Sequence, residues 1–118
     1  MTASSALQGV IAPILTPFNH DGSLAQDLYV SNAKRVLADG CVGLAPFGTT
    51  GEALSVGMDE RMKTLEALVD SGIEPGKLIP GTGLTNLVDT TTLTKHAVEL
   101  GCAGAMTLPA FYFKGVSD

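Results

Sequence analysis

Four short apolar runs are spaced along the chain, and each is continuous rather than alternating with polar residues. They cover residues 9–16, 40–47, 78–83 and 103–108. Strands that are covered on both faces, as in a parallel sheet, have this uninterrupted pattern. The runs therefore predict four buried parallel strands.

The intervals between these runs have the pattern of amphipathic helices, with apolar residues three and four positions apart on one helix face. The faces comprise Tyr29, Ala33, Val36 and Leu37, then Met58, Met62, Leu65 and Val69, then Leu93, Ala97 and Leu100. A glycine follows each pattern, at Gly40, Gly72 and Gly101, where a helix end favours left-handed backbone. Ser23 with Gln26 predicts a capping box at the first helix, and Asn86 predicts an N-cap at the third.

The resulting order, βαβαβαβ, predicts an α/β fold with right-handed crossovers between parallel strands. An open doubly wound sheet and a (β/α)8 barrel both begin in this way. In both folds ligands bind at the carboxyl ends of the strands. The functional residues are therefore expected in residues 16–18, 48–52, 81–83 and 109–114.

Charge and composition narrow the class of protein. The net charge of -5 disfavours nucleic acid and anionic membranes as partners. Residues 1–8 lack a basic segment followed by an apolar one, so we predict a loose N-terminal tail there and a cytoplasmic protein. Cys41 and Cys102 form no CxxC or Cys/His cluster, so no zinc site is predicted, and reduced thiols at strand starts are favoured over a disulfide.

The segment Gly48-Thr49-Thr50-Gly51-Glu52 has the composition of an anion-binding turn. Its glycines permit a tight turn, and its hydroxyl and N–H groups suit a small carboxylate or phosphate. A turn whose threonines satisfy only their own backbone is the alternative. For Glu52, an acceptor of backbone N–H groups is favoured over a general base.

This segment, followed by a helix with Asp59-Glu60-Arg61, resembles the dihydrodipicolinate synthase / N-acetylneuraminate lyase family. PILTP at 13–17, GTG at 81–83 and PAFYFK at 109–114 agree in order and spacing, so the resemblance runs from about Gly9 to the last residue. It implies a (β/α)8 TIM barrel, of which residues 9–118 would form the first four β/α units. A whole barrel takes about 250 residues, so we expect the N-terminal half of one.

The resemblance also implies a reaction. Enzymes of the family bind pyruvate as an imine on a barrel lysine and make or break the adjacent carbon–carbon bond, with no metal and no separate cofactor. Thr50 would hold the pyruvate carboxylate, and Thr49 would belong to a catalytic proton relay. Tyr112 would be the relay tyrosine that reaches into the neighbouring subunit of a homo-oligomer, a dimer or tetramer.

The imine lysine is not among the lysines of this sequence. These are Lys34, Lys63 and Lys95 on predicted outer helices, Lys77 before a strand, and Lys114 in a loop. A Schiff-base lysine needs the desolvated interior of the barrel. The lysine and its assisting tyrosine are therefore expected beyond Asp118, and these residues alone are predicted to be inactive.

Within the family, Thr49 favours 4-hydroxy-tetrahydrodipicolinate synthases, which condense pyruvate with aspartate semialdehyde on the route to lysine. Phe113 and Ala53 depart from the synthase pattern, and the aromatic run 111–113 is more like N-acetylneuraminate lyases and 2-keto-3-deoxy sugar-acid aldolases or dehydratases. Two other interpretations stay open: a nucleotide site at residues 81–86, which lacks the usual last glycine, and a non-catalytic half barrel that needs a partner. His20 and His96 are predicted to be solvated.

Overall fold

The computed structural model describes residues 7–108. Its regular elements are β1 (Ile11–Ala12), α1 (Gln26–Ala38), β2 (Gly43–Leu44), α2 (Met58–Asp70) and α3 (Leu87–Leu100), with short 3-10 turns at Ala53–Ser55 and Pro75–Lys77. Strand and helix alternate as predicted. Of the predicted tail, residues 1–6 lie outside the described part of the chain.

The four apolar runs lie side by side and parallel. β1 pairs with β2 through Ile11 and Gly43, the third run joins β2 through Leu44 and Leu78, and the fourth joins the third through Gly81 and Met106. The regular strands are far shorter than the runs. One reason is the proline in each of the first three runs, because proline has no N–H to give to the ladder.

Each helix packs an apolar face on this sheet. On α1 and α3 the buried residues, Tyr29 and Ala33, and Leu93 and Ala97, belong to the predicted faces. On α2 the buried apolar residues are Leu65 and Leu68, so the buried face is rotated from the predicted one, of which Met58, Met62 and Val69 are only half-buried. Leu44 and Leu78 from the sheet are fully buried in the same core. Within residues 7–108 no helix follows the fourth run, so the fourth β/α unit stays a prediction.

The predicted helix ends are confirmed at the glycines and at α3. Gly40, Gly72 and Gly101 have positive φ values of 117°, 106° and 90°. The Asn86 side chain accepts a hydrogen bond from the Asp89 backbone N–H at 2.8 Å, as an N-cap should.

The capping box predicted from Ser23 and Gln26 is wrong. Ala25 is the N-cap of α1 and makes no side-chain cap bond. The Ser23 hydroxyl and N–H instead both donate to the Asp21 carboxylate, at 2.6 and 2.9 Å. A short local turn thus competes successfully for the serine that the sequence assigned to the helix.

Cys41 and Cys102 are free thiols, both half-buried, as the sequence favoured. Burial raises the pKa of Cys102 to about 11, which keeps that thiol protonated and unreactive near neutral pH. Between residues 7 and 108, no helix is both long enough and apolar enough to cross a membrane.

Replacing Leu68 by alanine tests the placement of α2 against the core. Leu68 is 0% exposed, so Leu68→Ala should lower the free energy of unfolding by about 2–5 kcal/mol through lost burial and a residual cavity. The same substitution at Leu87, which is 83% exposed, should cost less than about 0.5 kcal/mol. Urea unfolding measures both, and equal losses would contradict this core.

Candidate active site

An open cavity of about 280 Å³ lies at the carboxyl-terminal side of the parallel segments. The loop after β2 supplies much of its wall, and the third and fourth runs supply most of the rest. Its lining includes Gly48, Thr49, Thr50, Ala53, Gly81 and Gly83. This is the edge of the sheet at which α/β folds place their ligands.

The loop after β2 has a tightly turned backbone. The Glu52 N–H donates to the Thr49 carbonyl at 3.1 Å, and the Ala53 N–H donates to the Gly48 carbonyl at 3.2 Å. Phe47 and Glu52, at the two ends of the turn, have positive φ values of 62° and 54°. Left-handed backbone at residues other than glycine costs about 1–3 kcal/mol each, so surrounding contacts must hold the loop in this shape.

The first run supplies one such contact through Thr16, which is 5% exposed. Its hydroxyl donates to the Gly51 carbonyl at 2.6 Å. Gly51 itself lies so near the first run that a Cβ there would be 2.9 Å from the Ile14 carbonyl oxygen. The first run therefore fixes the far end of the turn.

The third run supplies a second contact through Gly81. Its N–H donates to the Pro46 carbonyl at 2.7 Å. A Cβ at this position would overlap the Phe47 carbonyl oxygen, so only glycine permits the approach. The sequence identified the GTG segment but offered no reason for its first glycine.

The third contact comes from Arg61 on α2, which is 3% exposed. Its Nη2 donates to the Ala53 carbonyl at 2.7 Å. Its Nη1 lies 3.4 Å from the carbonyl oxygens of both Gly81 and Gly83, and its Nε lies 3.4 Å from that of Val56. One guanidinium thus joins the loop after β2 to the end of the third run.

Sequence reasoning missed this role of Arg61, although a signal was present. Arg61 falls within the apolar face of α2, between Met58 and Leu65, at helical spacing. A charged residue inside an apolar stripe predicts a buried cation with specific acceptors. Those acceptors are backbone carbonyls, which no sequence pattern identifies.

α1 supports the site through Tyr29, whose ring stacks on that of Phe47 with centroids 5.5 Å apart. Tyr29 is fully buried, and its hydroxyl has no well-formed hydrogen bond to any residue of the described part. Burial raises the pKa of Tyr29 well above its usual range, and the nearby Thr16 hydroxyl offsets this only in part. The ring pair holds α1 against the end of β2.

The structure brings Thr49 and Thr50 together on the cavity wall. Tyr112 lies outside the described residues, and so does Lys114. No lysine lines the cavity in the described part of the chain, which agrees with the positions of Lys34, Lys63, Lys77 and Lys95 on helices or before the third run.

The predictions for Glu52 and His96 are wrong. The Glu52 carboxylate is exposed and accepts no backbone hydrogen bond from residues 7–108; backbone groups close the turn instead. His96 is not solvated, because its side chain is 13% exposed and its Nε2 lies 2.6 Å from Glu66 Oε2 across the α2–α3 interface. His20 is exposed, as predicted.

The polar groups in the described lining of the cavity are hydroxyl and backbone groups, none of its side chains is titratable, and Pro13, Phe47, Met106 and Leu108 make much of the rest apolar. Within residues 7–108 there is also no group of three His, Cys, Asp or Glu side chains that could hold a metal ion. Neutral hydroxyls and backbone N–H groups bind a small anion by hydrogen bonds. The lining thus suits a ligand with a carboxylate or phosphate group.

Comparison with known proteins identifies the family. The sequence profile of the Dihydrodipicolinate synthetase family matches residues 6–118. The chain belongs to this family. The match extends over the PAFYFK segment that carries Tyr112, and it shows that the resemblance seen in the GTTGE loop is a true relationship.

Individual family members differ in their activities. Over 105 residues the chain is 35% identical to a 4-hydroxy-tetrahydrodipicolinate synthase of Methanothrix thermoacetophila, covering 89% of this chain and 35% of that one. Proteus mirabilis N-acetylneuraminate lyase superposes with a TM-score of 0.82 and 33% identity, over 95% of this chain and 38% of the lyase. A variant of Sulfolobus solfataricus 2-keto-3-deoxygluconate aldolase, in complex with pyruvate, superposes with a TM-score of 0.81 and 28% identity, over 93% of this chain and 36% of the aldolase.

The solved family members are TIM-barrel aldolases, and this chain follows their N-terminal part. It spans about a third of the length of the curated relatives it matches. The nucleotide site considered at residues 81–86 gains no support from these relationships. Instead, Gly81 and Gly83 line the cavity, and Asn86 caps α3.

Substitutions at Thr16 test its contact with the loop. Thr16→Val keeps the shape of the side chain but leaves the Gly51 carbonyl without its donor, so the free energy of unfolding should fall by about 1–3 kcal/mol. Thr16→Ser keeps the hydroxyl and should retain most of that stability. If Thr16→Val unfolds at the wild-type urea concentration, the hydroxyl does not hold the loop.

Because Tyr29 is buried, we expect the protein to lose stability at alkaline pH. Above about pH 10 the unfolded tyrosine ionises while the buried one stays protonated, so the unfolded state binds fewer protons and stability falls by up to about 1.4 kcal/mol per pH unit. Tyr29→Phe should remove this loss and be no less stable at pH 7, since the hydroxyl it deletes is buried without a well-formed bond. Thermal unfolding at pH 7–11 compares the two proteins, and parallel pH profiles would refute the assignment.

Proposed function

We propose that the protein is a pyruvate-dependent class I aldolase or lyase. The observation that carries the proposal is the cavity wall formed by Thr49, Thr50 and glycine backbone at the ends of parallel segments, in a chain of this family. The pyruvate complex of the related 2-keto-3-deoxygluconate aldolase supports pyruvate as the shared substrate.

Thr50 would bind the pyruvate carboxylate, and Thr49 would pass protons to and from the reacting carbons. Hydroxyls suit both tasks, because they bind an anion and relay a proton without bringing a charge into a dry cavity. A hydrogen bond to a charged group contributes about 1.5–3 kcal/mol, so one threonine matters measurably. Tyr112 of a neighbouring subunit would extend the relay in a homo-oligomer, a dimer or tetramer.

The reaction begins when a lysine amine attacks the ketone carbon of pyruvate. Water leaves and a C=N bond forms, and this imine accepts the electron pair when the methyl carbon loses a proton. The resulting carbanion then adds to an aldehyde, or the reverse cleavage occurs. We propose that residues beyond Asp118 supply this lysine, since none lines the described part of the cavity.

For the aldehyde we propose aspartate semialdehyde, as in the 4-hydroxy-tetrahydrodipicolinate synthases of lysine biosynthesis, in the cytoplasm. The threonine at position 49 and the synthase relative support this choice. A lyase or sugar-acid aldolase is the second candidate, because Ala53, which departs from the synthase pattern, lines the cavity. The alternative from another class of protein is a non-catalytic half barrel that needs a partner.

Borohydride trapping of pyruvate on the protein at its natural length tests the proposal. Borohydride delivers hydride to the imine carbon and makes the link permanent, so intact-mass analysis should show one added pyruvate unit per chain. Thr50→Val should raise the pyruvate concentration for half-maximal trapping by about tenfold or more, because the carboxylate loses a donor. Thr50→Ser should stay near wild type.

The matched control is Thr91→Val, the same substitution at an exposed position of α3 away from the cavity. It should trap pyruvate like the wild type. An absence of any adduct on the wild-type protein would overturn the aldolase proposal. Once trapping is established, turnover with aspartate semialdehyde, N-acetylneuraminate or a 2-keto-3-deoxy sugar acid separates the candidate substrates.

A further inference from the structure

We propose that Arg61 is a positioning residue for pyruvate: its guanidinium sets the position of the loop that carries Thr49 and Thr50. This inference rests on the proposed function. Arg61 does not itself line the cavity, so it would act through the loop rather than on the ligand. The consequence is that pyruvate binding, and not stability alone, depends on this side chain.

The acceptors of Arg61 form the back of the cavity wall. Among the described residues it reaches four carbonyls, and three of these belong to Ala53, Gly81 and Gly83, which all line the cavity. The 2.7 Å bond to Ala53 holds the loop end, and the two 3.4 Å contacts hold the third run. The guanidinium therefore fixes the separation between two parts of the wall that face the ligand.

The loop needs such a restraint on this side. Phe47 and Glu52 keep left-handed backbone, which relaxes when the contacts around it are lost. Thr16 restrains the loop at Gly51, but among the described residues the Arg61 bond is the side-chain contact that restrains the carbonyl of Ala53. Without it, the turn can rotate and carry both threonine hydroxyls away from the carboxylate.

Lysine cannot replace this group. The guanidinium is planar and directs donors to the loop and to the third run at once, whereas an ammonium group is a single point at the end of a flexible chain. Arg61→Lys should therefore keep the charge but lose the fixed separation. Arg61→Met should lose both the charge and the donors while keeping an apolar stem in the core.

The experiment measures the pyruvate concentration for half-maximal borohydride trapping in Arg61→Met, Arg61→Lys and wild-type protein at natural length. We expect this concentration to rise about tenfold in Arg61→Met and about threefold or more in Arg61→Lys, because misplaced hydroxyls bind the carboxylate poorly. The adduct reached at saturating pyruvate should stay at one per chain. Thermal unfolding of each variant is recorded in parallel.

Leu68→Ala is the control for a purely structural role. Leu68 lies two turns further along α2, is fully buried and does not line the cavity. It should lower the melting temperature and leave the half-maximal pyruvate concentration unchanged. A shift in Leu68→Ala as large as that in Arg61→Met would overturn the positioning role, and so would wild-type binding in both Arg61 variants.

The two proposals fail in different ways. If the wild type traps no pyruvate, the proposed function is wrong and this inference goes with it. If the wild type traps pyruvate and the Arg61 variants bind it equally well, only the inference is wrong. Should Arg61→Met not fold, Arg61→Lys alone decides, since it keeps the charge and the bulk of the stem.

Discussion

The approach of Gly81 to the carbonyl of Phe47 is the contact on which the candidate site depends. A Cβ on Gly81 would overlap that oxygen, and the Gly81 N–H donates to Pro46 next to it. This approach allows the chain after β2 to turn sharply into left-handed backbone at Phe47. The Phe47 ring is then positioned to stack on Tyr29, which connects α1 to the same corner.

Buried carbonyl groups around this corner explain two of the polar residues in the described core, Thr16 and Arg61. A carbonyl withdrawn from water needs a donor, and the turn withdraws several at once. Thr16 supplies the donor for Gly51, and Arg61 supplies donors for Ala53 and the third run. These two side chains are among the few buried polar residues of the part of the chain that the structure describes, and both serve the loop.

The same arrangement is built largely from backbone groups. The loop, the first run and α2 together hold one wall of the cavity, through backbone bonds and through two side chains that donate to backbone carbonyls. The relatives of this chain include a synthase, a lyase and a sugar-acid aldolase, and the structure of the aldolase contains pyruvate. Under the proposed function, the wall at residues 48–53 would bind the pyruvate carboxylate, and residues around it would select the second substrate.

What the sequence by itself determined was local. Continuous apolar runs, helical periodicity and terminal glycines predicted the order of the elements, the buried faces of α1 and α3 and the positive φ at Gly40, Gly72 and Gly101, because each depends on neighbouring residues. The GTTGE segment, with PILTP, GTG and PAFYFK in the same order and spacing, carried the resemblance to the family. The error at Ser23 is also local: the Asp21 carboxylate accepts the hydroxyl that the pattern assigned to the helix cap.

Only the tertiary structure decided which residues shape the site. Thr16 meets Gly51 across 35 residues of sequence, Arg61 meets Gly81 across 20, and His96 meets Glu66 across 30. Periodicity carries no information on such pairs, because the partner is a backbone carbonyl or a side chain on another element. The exposed Glu52 carboxylate is the converse case: the turn is closed by backbone bonds, which leave its side chain no structural task among the described residues.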